Sequence, residues 1–224
     1  MDRVRNALQE ALIVLWLAML SCVAPCLAQT SPDAATRRAA RTLATAVCER
    51  CHGADGRSAD PAVPAIAGQQ QSYIEAQLKA FRGQSRRDPV AHVSMERIRY
   101  YSVEQINTGN LSNSEGLLND VIMAGLASYF SSQAPLPGKT GDPAVVATGK
   151  QLYEKGSPDR GIPACAGCHG VNAEGFSAVP RLAGQHAQYL VSQMQMLRVP
   201  VMHSVMRDLS DDEMVAVATY LQSK

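Results

Sequence analysis

Two pentapeptides bring together residues able to do chemistry: Cys48-Glu49-Arg50-Cys51-His52 and Cys165-Ala166-Gly167-Cys168-His169. Two thiols separated by two residues can add to the two vinyl groups of a porphyrin. The histidine that follows at once can ligate the iron, which completes the requirement for a c-type haem. One such pentapeptide could be chance, but a second in a repeated context makes coincidence a poor explanation. Two rival chemistries fit less well. A zinc site would need both CxxC pairs to converge and would leave the histidines surplus. A thioredoxin-like dithiol needs a strand leading into a helix, a context neither pentapeptide has.

A histidine-ligated haem iron has a sixth position, and a thioether is a soft neutral donor that favours ferrous iron. In the second half Met202 is the expected ligand, seven residues before Leu209 on a loop ahead of the last helix. Met206 competes, because a gapless match of Arg198-Val199-Pro200-Val201 to Arg87-Asp88-Pro89-Val90 pairs it with Met95. In the first half Met95 is the only methionine between the middle and closing helices, and Met95-Glu96-Arg97-Ile98 mirrors Met202-His203-Ser204-Val205. Seven residues before Leu118 stands Leu111, which cannot bind iron, so a segment of about Tyr100 to Leu117 is inserted there. If the insertion follows the ligand loop, Met95 reaches the iron. Otherwise the first iron is five-coordinate or takes a histidine such as His92. Met123, Met194, Met196 and Met214 lie on helical faces and read as core, while His92, His186 and His203 read as exposed or hydrogen-bonded. Pro64 and Pro180 follow the two pentapeptides and are placed to offer a carbonyl to the N–H of each histidine.

The elements that must position these groups form a tandem repeat. An offset of 117 superposes Cys48 on Cys165, and an offset of 116 superposes Pro64 on Pro180 and Tyr73 on Tyr189. Each half begins with a helix, Ala34 to Val47 and Ala144 to Tyr153, the latter preceded by an Asp142-Pro143 start signal. A glycine-containing loop and a middle helix follow, from Ser72 with a Ser72/Glu75 capping box in the first half and from His186 in the second. The halves close with Asn119 to Gln133 and Ser210 to Lys224, which place Tyr129 with Tyr220 and Met123 with Met214; Ser210 and Glu213 form a capping box. The spacing predicts an all-α chain of two tandem helical domains, 29–133 and 143–224, joined by a Ser/Pro/Gly-rich linker at 134–142. Residues 1–28 read as a secretory signal peptide, with Arg3 and Arg5, an apolar run from Ala11 to Leu20, and small residues up to Ala28. An uncleaved anchor is the rival reading.

With Cys22 and Cys26 in the leader, the other four cysteines all fall in the pentapeptides, leaving none for structural disulfides in an exported chain. The 21 Lys and Arg against 20 Asp and Glu leave a net charge of +1, with no basic stripe to argue for nucleic acid. The two pentapeptides, the paired Pro64-Ala65-Ile66-Ala67-Gly68-Gln69 and Pro180-Arg181-Leu182-Ala183-Gly184-Gln185, and the two closing helices resemble the dihaem cytochrome c4 family, tandem class I cytochrome c domains. The resemblance implies two haem c groups on Cys48, Cys51, Cys165 and Cys168. It also implies axial ligation by His52, Met95, His169 and Met202, with the haems at the domain interface. The activity it implies is that of a periplasmic electron carrier between respiratory-chain proteins, membrane complexes or an oxidase, touching the membrane only peripherally or through an uncleaved leader. It departs from the family at Leu111 and the insertion. The alternative function is a dihaem enzyme or enzyme subunit, a peroxidase or small-molecule dehydrogenase, with an open or displaceable ligand at the first haem.

Overall fold

A computed structural model describes residues 32–86, 95, 119–198 and 206–224. The leader, His92, the insertion from Tyr100 to Leu117, Met202 and His203 lie outside the described residues. The described chain is helical, with isolated bridges Ser157–Ile162 and Phe176–Val179 in place of strands.

The first half opens with α1, Ala34–Leu43, started by Asp33, whose Oδ1 accepts from the Thr36 N–H at 2.7 Å. The helix widens into a π turn over Ala44–Cys48 and runs on as α2, Glu49–His52, so one continuous helical path delivers the first pentapeptide. The middle helix α3 spans Gln71–Arg82, and the closing helix α4 spans Asp120–Ser131, capped by Asn119 through the Ile122 N–H at 2.9 Å. Leu43, Ile74, Leu78, Ile122, Met123, Leu126 and Phe130 fill the core where α1 and α3 meet α4. The expected Ser72/Glu75 capping box is not formed. The helix starts one residue earlier, its cap Gln70 makes no side-chain bond to the helix, and Glu75 accepts from the Gln71 side chain at 3.2 Å. Gln70 instead reaches the other half, as described below, so a tertiary contact has displaced a local one.

The second half contains α5 (Pro143–Lys155), α6 (Ala166–His169), α7 (Ala187–Met196) and α8 (Asp211–Gln222). Asp142 caps α5 with Pro143 in its first turn, and Ser210 and Glu213 form the reciprocal capping box of α8. Tyr153, Leu190, Met194, Met214, Val217 and Leu221 build its core. In both halves the first and last helices cross over a glycine, but from opposite partners. Gly125 of α4 lies against Ala40 and Thr36 of α1, whereas Gly149 of α5 lies against the Ala216 carbonyl of α8. Entry into the second pentapeptide also differs: α5 stops at Gly156, and a looped excursion over Pro158–Arg160 intervenes before Cys165.

Candidate functional site

Each pentapeptide folds as a single helical turn ended by a glycine with positive φ, Gly53 at +79° and Gly170 at +84°. The turn leaves Cys51 and Cys168 exposed while Cys48 and Cys165 are half-buried against the two cores. Burial pushes the Cys48 thiol up to about 12, and Cys165 moves the same way for the same reason. A neutral thioether bears no such penalty. His52 Nδ1 donates to the Pro64 carbonyl at 2.9 Å, and His169 Nδ1 meets the Pro180 carbonyl at 3.2 Å. An Nδ1–H held this way makes Nε2 the nitrogen that an iron would take and fixes the ring's orientation. Burial also pushes His52 below its usual range, keeping it neutral and able to ligate. Both proline carbonyls were legible in the sequence.

Hydroxyl groups hold the turn after each pentapeptide. Tyr129 donates to the Ala54 carbonyl at 3.0 Å, and Tyr153 donates to the Gly170 carbonyl at 2.6 Å. Tyr220, which shares register with Tyr129, instead reaches Glu154 at 3.3 Å. The closing helix therefore supplies the hydroxyl in the first half and the opening helix supplies it in the second. Ser58 adds a bond to the Cys51 carbonyl at 3.1 Å.

Met95 is half-buried and packs against the first core. Met206 packs against the second core; Met202 is outside the described residues. Met123 and Met214 are wholly buried in the cores, as their helical positions predict. Among the described residues no group of three His, Cys, Asp or Glu is gathered as a metal cluster, and no helix is long and apolar enough to cross a membrane.

The two hexapeptides beginning at Pro64 and Pro180 do more than hold the histidines. Gln69 accepts from the Arg181 N–H at 2.7 Å and donates to the Arg181 carbonyl at 2.9 Å. Gln185 makes the same pair with Ala65, at 2.9 and 2.8 Å. One residue further on, Gln70 donates to the Glu174 carbonyl and His186 Nε2 to the Ser58 carbonyl, each at 2.9 Å. The halves thus join through a pseudo-twofold seam in which each loop completes the other's backbone hydrogen bonds. Gly68 and Gly184, both at positive φ, admit Pro135 and Leu136 of the connecting strap. Arg86 adds bonds to Tyr189 and Gln193 at 3.1 Å. The seam also locates the one-residue change of offset. Gly56 and Ala173 make equivalent loop bonds 117 apart, while Ser58 and Glu174 make equivalent seam bonds 116 apart. Arg57 is the extra residue, and its Nε donates to Ala134 of the strap at 2.7 Å. The repeated glutamines were visible in the sequence, but nothing local marked them as crossing partners.

The Cytochrome c family model matches residues 38–122 and again 146–224. Cytochrome c4 of Azotobacter vinelandii is 38% identical over 188 residues, covering 79% of this chain and 84% of its own. The chain belongs to the dihaem cytochrome c4 family. The structure of Acidithiobacillus ferrooxidans cytochrome c4 is similar at a TM-score of 0.64 and 32% identity, covering 79% of this chain and 98% of that one. The thiosulfate dehydrogenase TsdBA of Marichromatium purpuratum is similar at a TM-score of 0.67 and 29% identity, covering 84% of this chain but 40% of that one. Membership makes the chain a dihaem electron-transfer cytochrome with two covalently attached haem c groups, and the residues present fit them: two CxxCH turns, each histidine ring fixed by a proline carbonyl.

Proposed function

We propose that the chain is a periplasmic electron carrier in which each haem has histidine and methionine axial ligands. Cys48 and Cys51 attach the first haem, ligated by His52 and Met95; Cys165 and Cys168 attach the second, ligated by His169 and Met202. The leader 1–28 directs export, and the domains 29–133 and 143–224 are joined by the strap 134–142. Its partners are redox proteins of the respiratory chain, membrane complexes or an oxidase.

The haem supplies a one-electron couple; the chain's residues fix its ligands and its surroundings. The observation that carries the reading is the matched pair of histidine Nδ1 bonds to Pro64 and Pro180, because a ring locked in place moves little when the iron changes charge. The packing of Met95 against the first core supports a second fixed ligand there. A closed coordination sphere suits transfer, whereas catalysis at iron needs an open position. The similarity to TsdBA favours a second reading, a cytochrome module serving an enzyme that oxidises a small sulfur compound.

Met95→Ala, Met202→Ala and Met206→Ala test the ligands one at a time through the far-red methionine–iron charge-transfer band of the oxidised protein. Met95→Ala and Met202→Ala each remove about half of the band and create one high-spin iron, while Met206→Ala leaves it intact. A band lost with Met206 would move the second ligand to that residue. A high-spin iron already present and unchanged by Met95→Ala would remove Met95 from the first site.

A further inference from the structure

The seam is symmetric in its backbone and asymmetric in one side chain. Position 65 is alanine and position 181 is arginine, yet both make the same two backbone bonds to the opposite glutamine. Among the described residues Arg181 Nε is the buried side-chain polar atom without a hydrogen-bond partner. Arg181 lines a small cleft together with Ala65, Gln69, Pro135, Leu136 and Gln185. A buried guanidinium N–H with no acceptor is costly, and its preferred acceptor is a carboxylate, which it can meet in a planar, charge-assisted geometry. The chain ties its backbone to the second proximal site, since Arg181 directly follows Pro180, whose carbonyl meets His169 Nδ1.

We propose that the Arg181 guanidinium binds a propionate of the haem attached at Cys165 and Cys168, and so raises that haem's reduction potential above the value it would have with alanine there. A propionate carboxylate is the anionic group each haem brings. Unpaired, it stabilises ferric iron, which carries one more positive charge than ferrous iron; a cation paired with it cancels that preference. The first half has Ala65 at the equivalent place, so the arginine biases an electron toward the second haem. The proposal rests on the presence of the two haems and not on the choice of partners, so an equilibrium measurement tests it apart from the carrier reading.

The test is a spectroelectrochemical titration of the full-length holoprotein, with the haems told apart by nuclear Overhauser contacts from their ring methyls to Cys51 and Cys168. Arg181→Ala installs the residue that already serves at position 65, so the backbone bonds to Gln69 are retained. The second haem's reduction constant is expected to fall about tenfold, about 59 mV for one electron, with the first changing less than about threefold. Arg181→Lys, which keeps the charge, is expected to recover most of the loss. Should the alanine variant fail to assemble, Arg181→Gln, which keeps the stem and a donor, carries the same expectation. A second haem shifted less than about threefold, or a larger shift at the first haem, overturns the proposal.

Discussion

At the residue scale, the chemistry depends on small polar contacts that hold larger groups still. The two histidine–proline bonds were legible because proline recurs at a nearly fixed distance after each pentapeptide and has a carbonyl with no N–H beside it. The switch of the anchoring hydroxyl from Tyr129 to Tyr153 was not legible, since sequence register paired Tyr129 with Tyr220 and only the excursion before Cys165 brings Tyr153 to the turn. That excursion is tied down by Arg160, which pairs with Glu213, the same carboxylate that caps α8 by accepting from the Ser210 N–H at 2.9 Å. The Arg160 guanidinium, followed by the Ser210 N–H, holds the Glu213 carboxyl below its usual 4.5. A carboxyl lowered in the folded state stabilises fully above its unfolded pKa and loses that contribution as pH falls through the folded value. Glu213→Gln is therefore expected to lower the denaturation midpoint at neutral pH, with the gap from the unmodified protein closing as pH falls below 4.5. A gap that stays constant under acid would place the effect in packing and not in charge.

At the element scale, helix order and most boundaries were readable from caps and periodicity, because Asp142-Pro143 and Ser210/Glu213 carry their own local signals. The Ser72/Glu75 box failed because a capping box is worth about 1 kcal/mol, and the seam hydrogen bonds of Gln69 and Gln70 hold the residues just before the helix. The glycine at each helix crossing was also invisible, since the two halves put it on different helices. Its consequence is specific. A methyl group at Gly149 would collide with the Ala216 backbone carbonyl, which cannot rotate away, whereas one at Gly125 would approach Ala40 Cβ at 3.0 Å. Gly149→Ala is expected to destabilise the holoprotein by about 1–3 kcal/mol, measured by chemical denaturation, and to do so more than Gly125→Ala. Equal effects would mean that α5 and α8 separate more readily than their contact implies.

At the scale of the whole molecule, the duplication fixed the architecture in advance, while the way the halves meet could be seen only in three dimensions. A repeat predicts two copies of a loop; it does not say that each copy's glutamine satisfies the other's backbone. Removing one partner leaves a buried N–H and carbonyl unsatisfied, at about 1–3 kcal/mol. Gln69→Ala and Gln185→Ala should each destabilise the seam; by calorimetry the unmodified protein is expected to unfold in one thermal transition and the double variant in two. A double variant that still unfolds in one step would transfer the coupling to the strap and to the Arg86 contacts with Tyr189 and Gln193. The segment between Met95 and Leu118 is where the sequence departs from its duplicate, and the sixth ligand of the first haem decides between a carrier and a catalyst. The most direct measurement is the carbon monoxide difference spectrum of the fully reduced holoprotein. Two irons each closed by histidine and methionine predict no adduct at neutral pH, and a carbon monoxide complex on one of the two haems would contradict the carrier account.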